Sequence, residues 1–314
     1  MSYYIDSIAM TAAQLLSSSL ASEDPTPAWA QGATYAVGAE VHVPATHRVY
    51  KDAAGGVSNK RPDLDPTRWK DMRPTNLWAP FDEYTDTAAE STTEDLVFVL
   101  SSRFVNSLVM YGLAGSGVSV SIKDAPGGAE IWRYPATGGV ARLKRPATGY
   151  YDYAYGERRA STTLLLFNLP IRPKAEITIT ITGSAGQRRA VGMIVRGKLR
   201  NLVGNLTGRG VGGVEQDAEV APKTYTSRQT MEDGRQRLVV RGSSKDLRMT
   251  ISLPRENADA AVLALTDLLS RPVAWFAVLE PGFQGLSAFG IAQRSPVKYR
   301  NKRASIDLTV EGYL

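Results

Sequence analysis

The chain has 314 residues, of which 43% are hydrophobic, and a formal net charge of +6. It contains no Cys and only two His, which leaves almost nothing for disulfides, metal sites or nucleophilic triads, so we expect no enzyme, metal or cofactor. No stretch approaches the roughly 18 to 20 apolar residues of a membrane span, and the first 20 residues lack a signal-peptide pattern. Because Lys and Arg are spread along the chain, the charge predicts no nucleic-acid specificity.

Residues 1–27 are the first predicted segment. Leu15 and Leu20 are compatible with a short helix or with an extended arm packed on a neighbour. Pro25 and Pro27 end this segment, because each ring fixes φ and disfavours helix in the residue before it. We therefore expect an N-terminal arm over these residues.

Residues 28–75 differ in composition from the arm. Aromatic residues appear among Gly, Pro, Asn and Asp, with short alternating runs at 41–43 and 48–50. In so small a segment, aromatic side chains supply most of the buried area. The pattern predicts a turn-rich β module with a single core.

The module has an ordered set of aromatic, glycine and turn residues. The set is Trp29, Gly32-Ala-Thr-Tyr35, Gly38-Ala-Glu-Val41, Val49-Tyr50, Ser58-Asn59, Pro62 and Trp69. This order resembles the short chitin-binding-type carbohydrate modules that are appended to bacterial glycan hydrolases and also occur in phage tail proteins. One position departs from it, because Ala39 stands where an acidic residue is usual and Glu40 follows. The resemblance implies a module that binds glycan.

Four aromatic residues are the candidates for that glycan site: Trp29, Tyr35, Tyr50 and Trp69. Flat rings stack on the C–H faces of sugars while polar neighbours orient the hydroxyl groups. The alternative is that the module needs these rings for its own core. We favour the core for Trp29 and Tyr35, whereas Tyr50 and Trp69 suit either role equally.

After Pro74 the sequence becomes a series of short strand patterns. Residues 96–100 are almost continuously apolar, and residues 118–122 and 177–181 alternate strictly, as half-buried strands do. Gly- and Pro-rich turns separate these runs, and no amphipathic helix lies between them. Residues 76–200 are therefore predicted to form an antiparallel β-sandwich of jelly-roll type.

A tyrosine-rich segment lies within this predicted sandwich. In 149–156 the alternation places Tyr151, Tyr153 and Tyr155 on one face of a strand, next to Tyr150. An edge of the sandwich with its hydroxyls in water is the favoured interpretation. A strip that binds sugar or protein is the alternative.

Residues 201–217 contain five Gly and show no periodicity, so we expect a flexible connector or a loop ordered by a partner. Basic residues surround it: Arg196, Lys198, Arg200 and Arg209. No nucleic-acid motif accompanies them. We favour a subunit interface in which they meet carboxylates of a neighbouring subunit, with plain solvated surface as the alternative.

Residues 218–314 combine several strand patterns with one helix. The apolar residues of 247–253 lie on one face of a strand. Apolar side chains with a period of 3.6 predict a helix over 258–270, with Asn257 as its N-cap and Pro272 preventing its continuation. Further strands are predicted at 273–279, 287–293 and 305–310. A C-terminal β-barrel or sandwich with one flanking helix follows.

The last domain carries a second, weaker likeness. The elements run from Thr226-Ser-Arg-Gln-Thr230 through strand and helix to Arg271-Pro-Val-Ala-Trp275 and Val310-Glu-Gly-Tyr-Leu314, while Asn76-Leu-Trp-Ala-Pro-Phe-Asp82 opens the sandwich. This pattern is similar to distal-tail-like proteins of the tail tip or baseplate of long-tailed bacteriophages. The resemblance implies a non-enzymatic virion protein, made in the host cytoplasm. It would form a homo-oligomeric ring or adaptor that contacts tube, hub and fibre proteins and host surface glycan.

Two other functions compete with this one. A free carbohydrate-binding protein, or the accessory part of a glycan-degrading system, would share the small module but act as a monomer. A glycoside hydrolase would need two carboxylates at a suitable separation, and that separation cannot be obtained from sequence.

Overall fold

The computed structural model describes residues 2–144, 147, 149–156, 160–204, 212–231, 234–239, 242–280, 282–293 and 295–313. Strands make up 46% and helices 10% of the structure, with antiparallel sheets and a curled half-barrel, so the predicted mainly β class is confirmed. The chain divides into two compact units. We call Met1–Ile8 with Val195–Leu314 the C-terminal unit, and Ala9–Ile194 the central unit.

The strands are short and numerous. Those up to residue 74 are β1 (Tyr3–Ser7), β2 (Leu15–Ser18), β3 (Thr34–Tyr35), β4 (Glu40–Val43), β5 (Arg48–Asp52), β6 (Gly56–Val57) and β7 (Trp69–Pro74). The next are β8 (Ala89–Ser91), β9 (Leu96–Ser102), β10 (Ser107–Tyr111), β11 (Gly117–Lys123), β12 (Glu130–Tyr134), β13 (Ala141–Arg142), β14 (Leu164–Leu166), β15 (Ala175–Thr182), β16 (Arg189–Val191) and β17 (Met193–Asn201). The last are β18 (Gly213–Val214), β19 (Glu219–Thr224), β20 (Ser227–Thr230), β21 (Gln236–Val239), β22 (Ser243–Pro254), β23 (Val273–Phe276), β24 (Ser287–Ala292), β25 (Val297–Tyr299) and β26 (Arg303–Gly312).

The helical elements are few and short. The α-helices are α1 (Tyr150–Tyr155) and α2 (Ala258–Leu268). Single 3-10 turns lie at Ala12–Gln14, Pro62–Leu64, Ala79–Phe81 and Arg255–Asn257. Among the described residues, no helix is long and apolar enough to cross a membrane.

The central unit is built on an antiparallel sheet with the order β12-β11-β15-β9-β2, and β13 pairs with β11. On β15 the isoleucines Ile177, Ile179 and Ile181 are buried, and the threonines between them are half-buried. They pair with Leu100, Phe98 and Leu96 of β9, which are also buried. The strict alternation thus gives one face to the core, as the sequence predicts.

The predicted N-terminal arm is divided between the two units. Strand β1 lies in the C-terminal unit, whereas β2 pairs with β9 at the edge of the central sheet. Residues 1–27 therefore supply strands to two sheets rather than forming a separate arm. Because β2 precedes the small module and β9 follows it, the module is an insertion within the sandwich.

The tyrosine-rich segment forms helix α1 instead of the predicted strand. All four of its tyrosines are exposed, so the alternating pattern has no sheet to bury a face against. In the helix Tyr151 and Tyr155 are one turn apart, and their rings lie 5.4 Å apart. Gly149 and Gly156 flank the helix.

The C-terminal unit contains an antiparallel sheet in the order β17-β1-β23-β24-β26-β22. Strands β18 and β19 pair with β22, and β25 pairs with β26. Strand β1 lies between β17 and β23, where Ile5 is fully buried. The first residues of the chain therefore complete the sheet formed by the last third.

Helix α2 packs on this sheet through Ala261, Leu265 and Leu268, which belong to the same core as the apolar face of β22. The helix predicted over 258–270 is present, and it ends at Leu268. Asn257 lies at the N-cap, but its amide Nδ2 donates to Val203 O at 2.9 Å instead of capping the helix.

Candidate ligand-binding groove

The small module has a core of four buried residues, namely Val41, Val43, Tyr50 and Trp69. They come from the sheet β4-β5-β7, in which β5 is central. Tyr50 is 6% exposed and Trp69 is 2% exposed. Both side chains are therefore buried in the core of the module, which is one of the two roles that the sequence leaves open.

Trp29 and Tyr35 are half-buried and pack against this core. The ring of Tyr35 meets Trp69 edge-on at a centroid distance of 5.4 Å. Its hydroxyl accepts a hydrogen bond from Ala30 N at 2.8 Å, which ties the strand to the segment that carries Trp29. Tyr35 thus contributes to the packing of the module. Trp29 instead combines core contacts with a place on the surface.

An open groove of about 550 Å³ lies beside Trp29. It is lined by Trp29, Gln31, Asn59, Lys60, Arg61 and Leu64. The lining combines one indole ring, two primary amides, two cationic side chains and one exposed Leu. An aromatic ring with a few convergent polar groups is the arrangement by which proteins bind and orient polar ring-shaped ligands.

Ser58 joins the two sides of the groove. Its hydroxyl accepts a hydrogen bond from Trp29 Nε1 at 3.1 Å and donates to Lys60 O at 3.1 Å. The backbone around it is fixed by Gly32 N, which donates to Ser58 O at 2.7 Å. Because Ser58 is only 1% exposed, these bonds are protected from water. The edge of the indole and the segment at 59–60 are therefore held in place before any ligand arrives.

The wall at Arg61 and Leu64 is set by a 3-10 turn with Pro62 at its start. Arg61 donates from Nε and Nη2 to the two carboxylate oxygens of Asp63, at 2.6 and 2.7 Å. These hydrogen bonds lower the pKa of Asp63. The turn leaves Leu64 68% exposed. Asp63 thus lies in a turn and is the ion-pair partner of Arg61.

A buried ion pair also supports the module. Asp52 is 1% exposed and receives hydrogen bonds from Arg68, with Nη2 to Oδ2 at 2.7 Å. Arg68 also donates to the carbonyls of Gly56 and Val57 in β6. The hydrogen bonds from Arg68 lower the pKa of Asp52. This pair connects three chain segments where the apolar core is small.

The two chain connections of the module meet at what we call the module base, formed by Glu23, Asp24 and residues 73–76. Arg73 Nη1 donates to Asp24 Oδ2 at 2.7 Å, and Asn76 N donates to the same oxygen at 2.9 Å. Burial alone would raise the pKa of Asp24, but its hydrogen bonds with Arg73, Thr26 and Asn76 outweigh burial and lower it. The entering and leaving segments are thus bonded through one buried carboxylate.

A row of rings continues from the module base into the sandwich. His47 stacks on Trp78 at 4.0 Å, and its Nδ1 lies 2.9 Å from Glu23 Oε1. Trp78 contacts Phe81 edge-on, and Phe81 contacts the buried Phe98 in the same way, each at 5.8 Å. Together with the Asp24 bonds, these contacts fix the module on the sandwich.

The basic residues proposed for a subunit interface have different surroundings. Arg196 is 2% exposed, and burial lowers its pKa to about 10, so its side chain is not on the surface of the chain. Arg200 is exposed and pairs with Asp6 of the same chain at 3.2 Å. Lys198 is exposed. Arg209 lies outside the described residues. The structure therefore gives Arg196 a buried role and provides Arg200 with an internal carboxylate.

Four groove residues were not singled out from the sequence: Gln31, Lys60, Arg61 and Leu64. They lie in the segments that flank the quoted motif residues Gly32 and Ser58-Asn59. A signal was present, since polar residues beside turn glycines in a small aromatic module are placed for ligand contact. Within the described ranges, no group of three or more His, Asp or Glu side chains could hold a metal ion.

Compared with known proteins, the sequence matches no protein-family model and no curated protein.

Proposed function

We propose that the chain is a structural subunit of a bacteriophage tail tip or baseplate, and that its inserted module binds glycan through the groove beside Trp29. The observation that carries the binding part is the half-exposed indole with the amides of Gln31 and Asn59 on the same groove. The phage part is supported by the sequence likenesses alone. The proposed ligand is a glycan of the host surface, because such a ligand suits both a phage tail protein and a glycan-binding groove.

The insertion supports this function. The module is bonded to the sandwich through Asp24 and through the stack of His47 on Trp78. The glycan site therefore has a fixed position on the subunit. In a ring of subunits, weak glycan sites repeated by symmetry give avidity beyond that of any single site. A flexible tether would not fix the sites in such an array.

Glycan binding is tested with the full chain on a glycan array that includes chitooligosaccharides, followed by calorimetry. Trp29→Ala is expected to weaken binding about tenfold or more, because one ring that stacks on the sugar is lost. Trp132→Ala is the matched control, because Trp132 is also half-buried but lies on β12, away from the groove. Equal effects of the two variants, or wild-type affinity in Trp29→Ala, would contradict the proposed site.

The virion part has its own test. Purified phage tails from the source of this gene should contain the chain in several copies per tail, as measured by quantitative mass spectrometry. Finding the chain only as a secreted monomer that binds glycan would instead support the free carbohydrate-binding protein. The groove at Trp29 serves equally in that second function.

A further inference from the structure

The charges of the groove are unbalanced. Its lining includes the cations Lys60 and Arg61 and no carboxylate. Asp63 occupies two donors of Arg61 and offsets that charge. Lys60 has no ion pair within the part of the chain that the structure describes. The charge of Lys60 is therefore not neutralised by any side chain that the structure describes.

The hydrogen-bonding groups of the lining favour donors. Lys60 and Arg61 are donors only, whereas the amides of Gln31 and Asn59 each supply one acceptor oxygen. A neutral sugar presents many hydroxyl hydrogens, and carboxylates are the strongest acceptors for them. The lining lacks that group. A ligand with several acceptor oxygens and negative charge matches the lining better.

Lys60 is also held beside the indole. The carbonyl of Lys60 accepts from Ser58 Oγ, which accepts in turn from Trp29 Nε1. The backbone at Lys60 thus has a fixed distance from the ring on which a sugar would stack. Fixed backbone positions reduce the conformational entropy lost on binding.

Resting on the proposed glycan function, we infer that the ligand of the groove is a sugar or polyol polymer that carries acidic groups. Trp29 stacks on the apolar face of one unit, and Lys60 bonds the anionic oxygens next to it. A carboxylate of a uronic acid and a phosphate ester of a wall polymer present the same chemistry to Lys60. Asn59 and Gln31 orient the hydroxyl groups.

The test measures the affinity of the full chain for three soluble probes of similar length. They are hexagalacturonate, a glycerol phosphate hexamer and neutral chitohexaose. We expect at least one acidic probe to bind about tenfold more tightly than chitohexaose and to lose affinity as salt rises. Preference for hexagalacturonate identifies a uronic acid, and preference for the phosphate oligomer identifies a phosphate ester.

Two variants with the same charge change separate the groove from the overall charge. Lys60→Gln is expected to reduce the affinity for the acidic probe about tenfold and to leave chitohexaose unchanged. Lys70→Gln is the control, because Lys70 is exposed on β7 of the same module and does not line the groove. Equal losses in both variants would overturn the inference.

The inference and the proposed function fail in different ways. Tight binding of chitohexaose that depends on Trp29 but not on Lys60 overturns the acidic ligand and leaves glycan binding in place. If none of the three probes and no glycan on the array binds, the proposed glycan function fails, and the inference fails with it.

Discussion

The inserted module and the C-terminal unit are stabilised by different interactions. Among the residues that the structure describes, the C-terminal unit has a core of twenty buried residues around helix α2, and strand β1 completes it. The module has four, and it adds the ion pairs Asp52–Arg68 and Asp24–Arg73. A small segment buries a smaller fraction of its surface, so polar bonds hold more of its structure. The same shortage of core leaves one face of Trp29 near the surface, where a ligand can reach it.

The largest expected effect on stability comes from replacing one buried Trp in each region. Trp275 and Trp69 are both at most 2% exposed, and among described residues neither indole nitrogen has a hydrogen-bond partner. Each change to Ala is expected to cost about 3–5 kcal/mol. Trp69→Ala removes one of four core residues, so the module should unfold locally. Trp275→Ala should leave the C-terminal unit folded but less stable. Hydrogen exchange by peptide measures the protection of the module and of the C-terminal unit in each variant. A module that stays protected in Trp69→Ala would contradict the greater dependence of the module on a single core residue.

The next largest expected effect on stability comes from a substitution on strand β1. Ile5 is fully buried between two strands, so Ile5→Ala should lower the free energy of unfolding of the C-terminal unit by about 3 kcal/mol. Leu263→Ala is the control, since Leu263 is 69% exposed on α2. Urea unfolding with exchange at residues 247–253 reports the difference. If the two variants have equal stability, β1 does not complete this sheet.

The module base is tested by removing its buried carboxylate. Asp24→Ala removes the carboxylate that accepts from Arg73 and Asn76 N and should cost about 2–3 kcal/mol. Asp71→Ala is the control, because the pair of Asp71 with Arg48 is exposed and should contribute less than about 1 kcal/mol. Faster exchange confined to residues 22–28 and 73–78 is expected. Unchanged exchange there would show that the base does not depend on Asp24.

The smallest effect concerns Asp82, just after the module base. Burial raises the pKa of Asp82 to about 6, although its bonds with Thr87 and Tyr84 N oppose this. The folded state therefore binds the proton more tightly than the unfolded chain does. This contribution to stability is fully present below about pH 4, the unfolded pKa, and is lost as pH rises through 6.

Asp82→Asn should abolish that loss. The wild-type chain should be less stable at pH 7 than at pH 5 in urea unfolding of the central unit, and the variant should show a smaller difference. Glu83→Gln, at an exposed position nearby, controls for the change in net charge. Identical pH dependence in the Asp82 variant and the wild type would contradict the raised pKa.

Local periodicity made part of the fold predictable. The alternation at 177–181 and 247–253 and the helical period at 258–268 each depend on residues close in sequence, and all three elements are present. The segment 150–155 also alternates, but its four tyrosines are exposed and it forms a helix. Strand β1 pairs with residues about 200 positions away, a partner that no local pattern indicates.

The candidate site was predictable only in type. The aromatic order around Trp29 predicts a ligand module, yet nothing local distinguishes Trp69, which is buried on strand β7, from Trp29, which precedes the sheet. Core position follows from strand pairing, since Trp69 faces Asp52 of the central strand β5. Trp29 lies outside the strands of this sheet, and its Nε1 donates to the hydroxyl of Ser58. The sequence therefore predicted a small aromatic-rich β module but did not decide which of its rings are buried.

The most direct measurement is hydrogen exchange of the full chain with and without a saturating bound oligosaccharide. The account predicts new protection at residues 29–33 and 57–64, where the groove residues and Ser58 lie, with little change on β4, β5 and β7. Protection that appears only outside the module, for example on helix α1, would contradict the groove as the glycan site.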